Sequence, residues 1–215
     1  MSVRTFDEHP LGLSWVAEDY LSRASHAILV DGKVWFVDPV DAGDAIERGA
    51  ALGEPAGVLQ LYLDHPRDGE AVAQRLGVPF HKLPTALAPF ELIPLSFGRI
   101  WKEVALWLPE QRGLVVMESL GTGHLYRLGH GPAGVHPLRR MFPPGALRTY
   151  RPEHLLVGHG APVHGDDAAA AVADAIARSR RDLPRMALRP QDFIRGVLAR
   201  SGPAGKLRDS PTARH

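Results

Sequence analysis

Residues 58–80 read VLQLYLDHPRDGEAVAQRLGVPF, and this stretch decides the fold. The run Gly57–Leu63 is apolar and bounded by turns, as expected of a strand buried on both faces. Gly69–Leu76 has the composition of a helix, Gly77 provides its left-handed stop, and Val78–Phe80 predicts a short strand beyond it. Between strand and helix lies Asp64-His65-Pro66-Arg67-Asp68, with two carboxylates and an imidazole in five residues.

Working outward, the same alternation continues on both sides. Upstream, Ser14–Ala17, His26–Val30 and Lys33–Val37 predict strands. Asp31-Gly32 suits a tight hairpin between the last two, and Asp38-Pro39 ends the third because proline cannot continue a ladder. Ala42–Leu52 has near-helical apolar spacing. Downstream, Phe90–Leu95, Glu103–Leu108 and Leu114–Met117 predict strands, the last two joined around Pro109–Gly113. Gly121–Gly134 is a long glycine-rich loop, and Pro137–Met141 predicts a short helix. Leu155–Val157 predicts a last strand running into Gly158-His159-Gly160. Helices are expected over Asp166–Leu183, with acids near its N-terminus, and over Gln191–Arg200 after Pro190. Two β-rich halves, each ending in helices, predict an α/β fold, a four-layer αββα sandwich. Residues 1–200 are expected to form one domain, and the polar tail Ser201–His215 to be disordered.

Composition narrows the function classes. The 215 residues carry a net charge of +1, which gives no electrostatic reason to expect nucleic acid or an anionic membrane, and neither is expected as partner. Cysteine is absent, which removes disulfides, thiolate ligands and cysteine nucleophiles. No apolar run approaches the ~20 residues of a membrane span, and Met1–Glu18 lacks a signal-peptide core. A cytoplasmic location is expected.

Four segments carry a family resemblance: HAILVDGKVWFVDP (26–39), VLQLYLDHPRDGEAVAQRLGVPF (58–80), GRIWKEVALWLPEQRGLVVMESL (98–120) and HLLVGHGAPVHG (154–165). In this order and spacing they resemble landmarks of the metallo-β-lactamase superfamily, over roughly Ser14–Leu183. The resemblance implies the αββα sandwich and a dinuclear metal site at its edge, where two cations acidify a bridging water. It also implies which positions should ligate, and most are lost. Asp68 matches the loop aspartate and His159 the last histidine. The other loop positions hold Asp64, Pro66 and Gly69, the histidine expected in the second half falls on Arg99, and the bridging aspartate falls on Ser119, preceded by Glu118.

Two functional expectations follow. In the first, no working metal centre remains: Arg99, Glu118, Ser119 and His124 line a polar floor, and an Arg99–Glu118 ion pair fills the vacated space. Such a protein needs no cofactor and binds a small anionic molecule, another protein or a second copy of the chain. In the second, Asp64, His65, Asp68 and His159 hold a single divalent metal such as zinc and hydrolyse an ester- or thioester-like bond. Each residue also has a plainer role. Asp68 stands where a helix N-cap is expected, His159 can be a buried hydrogen-bonding histidine, and His124, His130 and His136 converge only if their loop folds back. Trp35, Trp101 and Trp107 are expected in the core or an interface.

Overall fold

In the computed structural model of the chain, residues 1–65 and 67–188 are described, together with 191 and 195. The expected helix Gln191–Arg200 and the tail Ser201–His215 therefore lie outside the described residues, apart from those two positions.

The first half builds a six-stranded sheet in sequence order: β1 (Val3–His9), β2 (Gly12–Ala17), β3 (Ala24–Val30), β4 (Lys33–Val37), β5 (Glu54–Gln60) and β6 (Phe80–Lys82). The first four strands pair antiparallel, and β4–β5 and β5–β6 pair parallel. Two crossover helices make the parallel pairs possible, α1 (Ala45–Ala50) between β4 and β5, and α2 (Gly69–Leu76) between β5 and β6. Asp31 and Gly32 both have positive φ, 51° and 75°, as a two-residue turn matching strand twist requires.

The second half gives β7 (Glu91–Pro94), β8 (Val104–Leu108), β9 (Gly113–Val116), a short ribbon of β10 (Leu120–Gly121) with β11 (Gly134–Val135), then β12 (His154–Val157) and β13 (Val163–His164). Helix α3 (His124–Arg127) lies within the glycine-rich loop, and α4 (Asp166–Arg178) and α5 (Leu183–Ala187) follow β13. The second sheet has the order β13-β12-β9-β8-β7.

Alternation along the strands sorts side chains into three apolar layers. On β4, Val34 and Phe36 face the α1/α2 side, packing with Ala45, Ile46 and Val72, while Trp35 and Val37 face the other sheet. On β12, Leu156 joins that inter-sheet core, and Leu155 and Val157 pack against Val172 and Ile176 of α4. A period of two with both faces buried is what a sheet between a helix layer and another sheet requires. The architecture is the expected αββα sandwich, helices–sheet–sheet–helices. Trp35 and Trp101 are buried, and Trp107 packs on the second core.

Differences from the sequence reading are local. Edge strand β1 was not foreseen, because its residues are half-buried or exposed and show no regular alternation. The expected helix Asp166–Leu183 is broken: α4 ends at Arg178, and Ser179–Asp182 tightens to a 3-10 turn. There Asp182 is 1% exposed and accepts from Arg140 Nη1 at 3.0 Å and Arg178 Nη1 at 2.9 Å. The tighter turn aims this carboxylate inward, toward two cations on different elements.

Candidate functional site

Three elements end at one point on the sandwich edge. Beyond β4, Asp38 takes φ 41° and donates its N–H to Leu59 O. Beyond β5, the loop places His65 with 8% exposure. Beyond β9, Glu118 is fully buried, its backbone N–H and that of Ser119 held by Glu103 Oε1 at 2.8 and 3.0 Å. Glu103 also accepts from Trp101 Nε1 and Ser119 Oγ. Burial pushes the Glu103 carboxyl up, and these hydrogen bonds oppose the rise.

His159 follows β12 in its glycine turn. A side chain on Gly158 would place Cβ 2.1 Å from Met117 O, and Gly160 has φ 95° with Thr122 Oγ1 in the same position at 2.2 Å. Only glycine on both sides lets the turn pass this close to its neighbours. Thr122 and Gly123 N–H groups donate to His159 O, fixing the residue between them.

The side chains converge on Glu118. Its Oε2 lies 2.9 Å from His65 Nε2 and 3.1 Å from His159 Nε2, and its Oε1 lies 3.2 Å from His136 Nε2. Outer partners fix the rings. His65 Nδ1 donates to Asp38 Oδ2 at 3.0 Å, and His159 Nδ1 donates to Leu21 O at 3.0 Å. His136 differs: its Nδ1 accepts from Leu138 N at 3.2 Å, so Nε2 carries the proton, and that nitrogen lies at ion-pair distance from Glu118 Oε1. Tyr126 stacks on His159 at 5.5 Å and Trp101 lies 4.9 Å from His136, closing the site with aromatic walls.

Burial dominates the titration of His136 and His159. It lowers His136 and His159 to about 3, and the neighbouring cation Arg67 contributes for His159. A neutral His159 with its proton on Nδ1 turns a bare Nε2 lone pair toward a carboxylate oxygen 3.1 Å away. Two acceptors at that distance need a shared proton or a cation between them. A carboxylate or carbonyl on Nδ1, leaving Nε2 free to ligate, is also the usual outer arrangement of a metal-bound histidine.

The donor set that could hold an ion is compact. Among the described residues, His65, Glu118 and His159 are the trio whose ligand atoms all lie within 4.8 Å of one another. Asp64 is exposed. Asp68 stands at the N-cap of α2, yet its side chain accepts from Asp41 N at 2.8 Å and caps nothing in its own helix. Pro66 and Gly69 offer no ligand atom. Arg67 brings a cation instead: its guanidinium donates to the carbonyls of Ala24, Asp38 and Gly158, and burial lowers it to about 10.

The remaining expected residues lie apart. Arg99 is exposed, so the cation beside the site comes from Arg67 and not from an Arg99–Glu118 pair. Ser119 is buried, tied to Glu103 and to Arg139 Nη1. His124 is exposed against Tyr20, and His130 bonds Asp182. Sequence reasoning assigned no role to Asp38, whose signal was a carboxylate directly after a buried strand. It also gave Glu118 to a metal-free floor, although Glu118 brings the trio together.

No protein-family model matches the sequence, and comparison with curated proteins gives no match. Comparison with solved structures does. The FIM-1 metallo-β-lactamase from Pseudomonas aeruginosa, in a mono-zinc form, superposes with a TM-score of 0.55 at 13% identity, over 84% of this chain and 97% of that one. This chain has the metallo-β-lactamase fold. The DIM-1 metallo-β-lactamase matches at TM-score 0.53 and 13% identity over 84% and 98% of the two chains. A metallo-β-lactamase from Erythrobacter litoralis matches at 0.52 and 12%, over 82% and 96%. At these identities the likeness carries the fold alone, and the chemistry rests on the side chains of this chain. In this metallo-β-lactamase fold, among the described residues, no helix is long and apolar enough to cross a membrane.

Acid should weaken the fold. His26 is fully buried and lowered to about 3, and His9 is lowered to about 4, in both cases chiefly by burial. With folded values below the ordinary 6.5, the unfolded chain binds more protons as pH falls. Their contribution is complete above about 6.5 and is lost progressively toward pH 4 and below. Thermal melts between pH 7.5 and about 4 should show a steadily falling midpoint; a flat profile would contradict the burial of neutral imidazoles.

Proposed function

We propose that the protein is a metal-dependent hydrolase working with one divalent ion, held by His65 Nε2, Glu118 and His159 Nε2. The observation that carries this reading is the pair of Nε2 atoms aimed at one Glu118 oxygen, each ring oriented by an acceptor on its Nδ1. Two histidines and a glutamate are a donor set suited to catalytic zinc, and the solved FIM-1 structure shows the fold in a mono-zinc form. The ion, when bound, supplies Lewis acidity that polarises a carbonyl and acidifies water.

The chain's own residues do the rest. Asp38 holds the His65 tautomer and raises its basicity, and Leu21 O does the same for His159. His136 Nε2 stands beside the other carboxylate oxygen, 3.2 Å from Glu118 Oε1. A cavity of about 430 Å³ opens beside His65, lined also by Asp38, Gln60, Arg67, Asp68, Glu70 and Gln74. Arg67 on this wall faces three carboxylates and ties the carbonyls of Ala24, Asp38 and Gly158 together, which holds the loops around His65 and His159 in place. The substrate class proposed is a small ester or thioester with a polar part.

Metal analysis tests this. Protein stripped with chelator and dialysed against zinc should carry about one equivalent, and His159→Ala should carry none. Asp38→Ala should keep the ligands and lower zinc affinity by about 10–100-fold, measured by competition with a chromophoric chelator. Zinc-free protein whose melting temperature ignores both zinc and chelator would refute the reading. It would leave Glu118 and its histidines as a proton-sharing structural network, with the cleft free for an anionic ligand or a partner.

A further inference from the structure

The net charge of +1 conceals a local segregation of apolar and basic groups. Of the nine exposed large apolar side chains among the described residues, five sit on two loops, Phe97 and Ile100 on one, Leu138, Met141 and Phe142 on the other. Ile100 is 79% exposed and Leu138 60%, beyond what isolated surface residues explain when they occur together. The loops form one surface: Phe97 and Phe142 stack at 5.0 Å, and Arg139 bonds Leu95 O while lying over Phe97.

Charge around this surface has one dominant sign. The segments Leu95–Lys102 and Pro137–Phe142 contain Arg99, Lys102, Arg139 and Arg140 and no acid. Arg139 and Arg140 are buried and engaged inside, whereas Arg99 is exposed and Lys102 half-buried. Exposed Arg180 joins them, its Nε on Met141 O at 3.0 Å. Asp64, one residue beyond Leu63 whose N–H bonds Lys102 O, adds one negative charge at the rim.

We propose that these two loops form a docking surface for an anionic phospholipid bilayer, with Phe97, Ile100, Leu138, Met141 and Phe142 entering the headgroup–acyl boundary and Arg99, Lys102 and Arg180 meeting the phosphates. Insertion of apolar tips combined with basic side chains is the two-signal requirement for reversible membrane attachment. A second copy of the chain fits less well, because self-apposition sets the same three cations against one another. Residues 189–215 carry six Lys or Arg against two Asp, so their charge matches the patch in sign and not in complement. The surface adjoins the candidate centre through Trp101, whose ring lies 4.9 Å from His136. Bilayer attachment would bring that centre to lipid-borne substrates, but the proposal does not depend on the metal reading.

Flotation of the full chain with vesicles tests it, using phosphatidylcholine alone or mixed with phosphatidylglycerol. Binding to the mixed vesicles at low salt should exceed binding to phosphatidylcholine by about tenfold or more and should fall in high salt. Ile100→Ser with Leu138→Ser should lower it by about tenfold with an unchanged melting temperature, since both side chains are exposed and the Phe97–Phe142 stack is kept. Absence of binding to the mixed vesicles, or undiminished binding by the double variant, would overturn the proposal. So would a dimer seen by light scattering that this variant abolishes, which would assign the surface to a second copy.

Discussion

Replacing Asp182 with alanine should lower the unfolding free energy by about 3–5 kcal/mol, the largest stability effect expected of a single polar substitution here. Asp182 is 1% exposed, and Arg140 is fully buried. Asp182 Oδ2 receives Arg140 Nη1 at 3.0 Å and Arg178 Nη1 at 2.9 Å, and Oδ1 lies 2.9 Å from His130 Nε2. Burial already pushes the Arg140 guanidinium down, and Asp182 is the first of the influences that oppose this. Removing the carboxylate leaves a buried guanidinium whose remaining hydrogen bond, among the described residues, goes to Tyr126 O. The cost is that of an uncompensated charge and not the net worth of an ion pair. For a chain of this size the melting midpoint should fall by about 10 °C. Asp182→Asn keeps the shape and one acceptor and should cost less. A loss under about 1 kcal/mol for the alanine variant would mean that Arg140 reaches water when released.

The sandwich was legible because burial on both faces writes itself into strands as short apolar runs. Lys33–Val37 and Gly69–Leu76 emerged with the bounds the structure gives, and Asp31-Gly32 made its turn. The site was legible by place and only partly by residue. His65 and His159 were singled out, and both reach the centre. Asp64 and Asp68 were favoured because carboxylates beside a histidine look like ligands, yet one residue of phase after β5 decides which side chain enters. That phase is set by the turn at Leu63 and Asp64, not by local propensity. Glu118 was paired in expectation with Arg99, since spacing to a lost aspartate does not reveal that a loop carries an arginine into solvent. His136 could not be separated from His124 and His130 by period, because its approach depends on its N–H bonding Ser119 O across the β10–β11 ribbon.

Glu118→Gln should lower zinc affinity by at least about 100-fold, more than the loss of an outer partner, because it removes a ligand and its negative charge together. The amide preserves volume in a position with no exposure, so folding should survive. Its consequences separate the two meanings of the histidine cluster. In a metal site, the substituted amide offers only a neutral oxygen, the ion is lost, and hydrolytic turnover of any ester or thioester substrate falls with it. Zinc should then raise the melting temperature of the wild type and leave the variant unmoved. In a proton-sharing network without metal, the reverse holds. His65 Nε2, His136 Nε2 and His159 Nε2 all face the Glu118 carboxylate within 3.2 Å, and its charge is what retains the shared protons. Neutralising it would then cost stability in chelator, on the order of 2–3 kcal/mol for a buried charged hydrogen-bond partner, with zinc making no difference to either protein. Measuring melts of both proteins with chelator and with zinc therefore decides between the readings without a known substrate. A zinc-dependent rise confined to the wild type supports the metal centre. A wild-type melting temperature that is the same with zinc and with chelator rejects it.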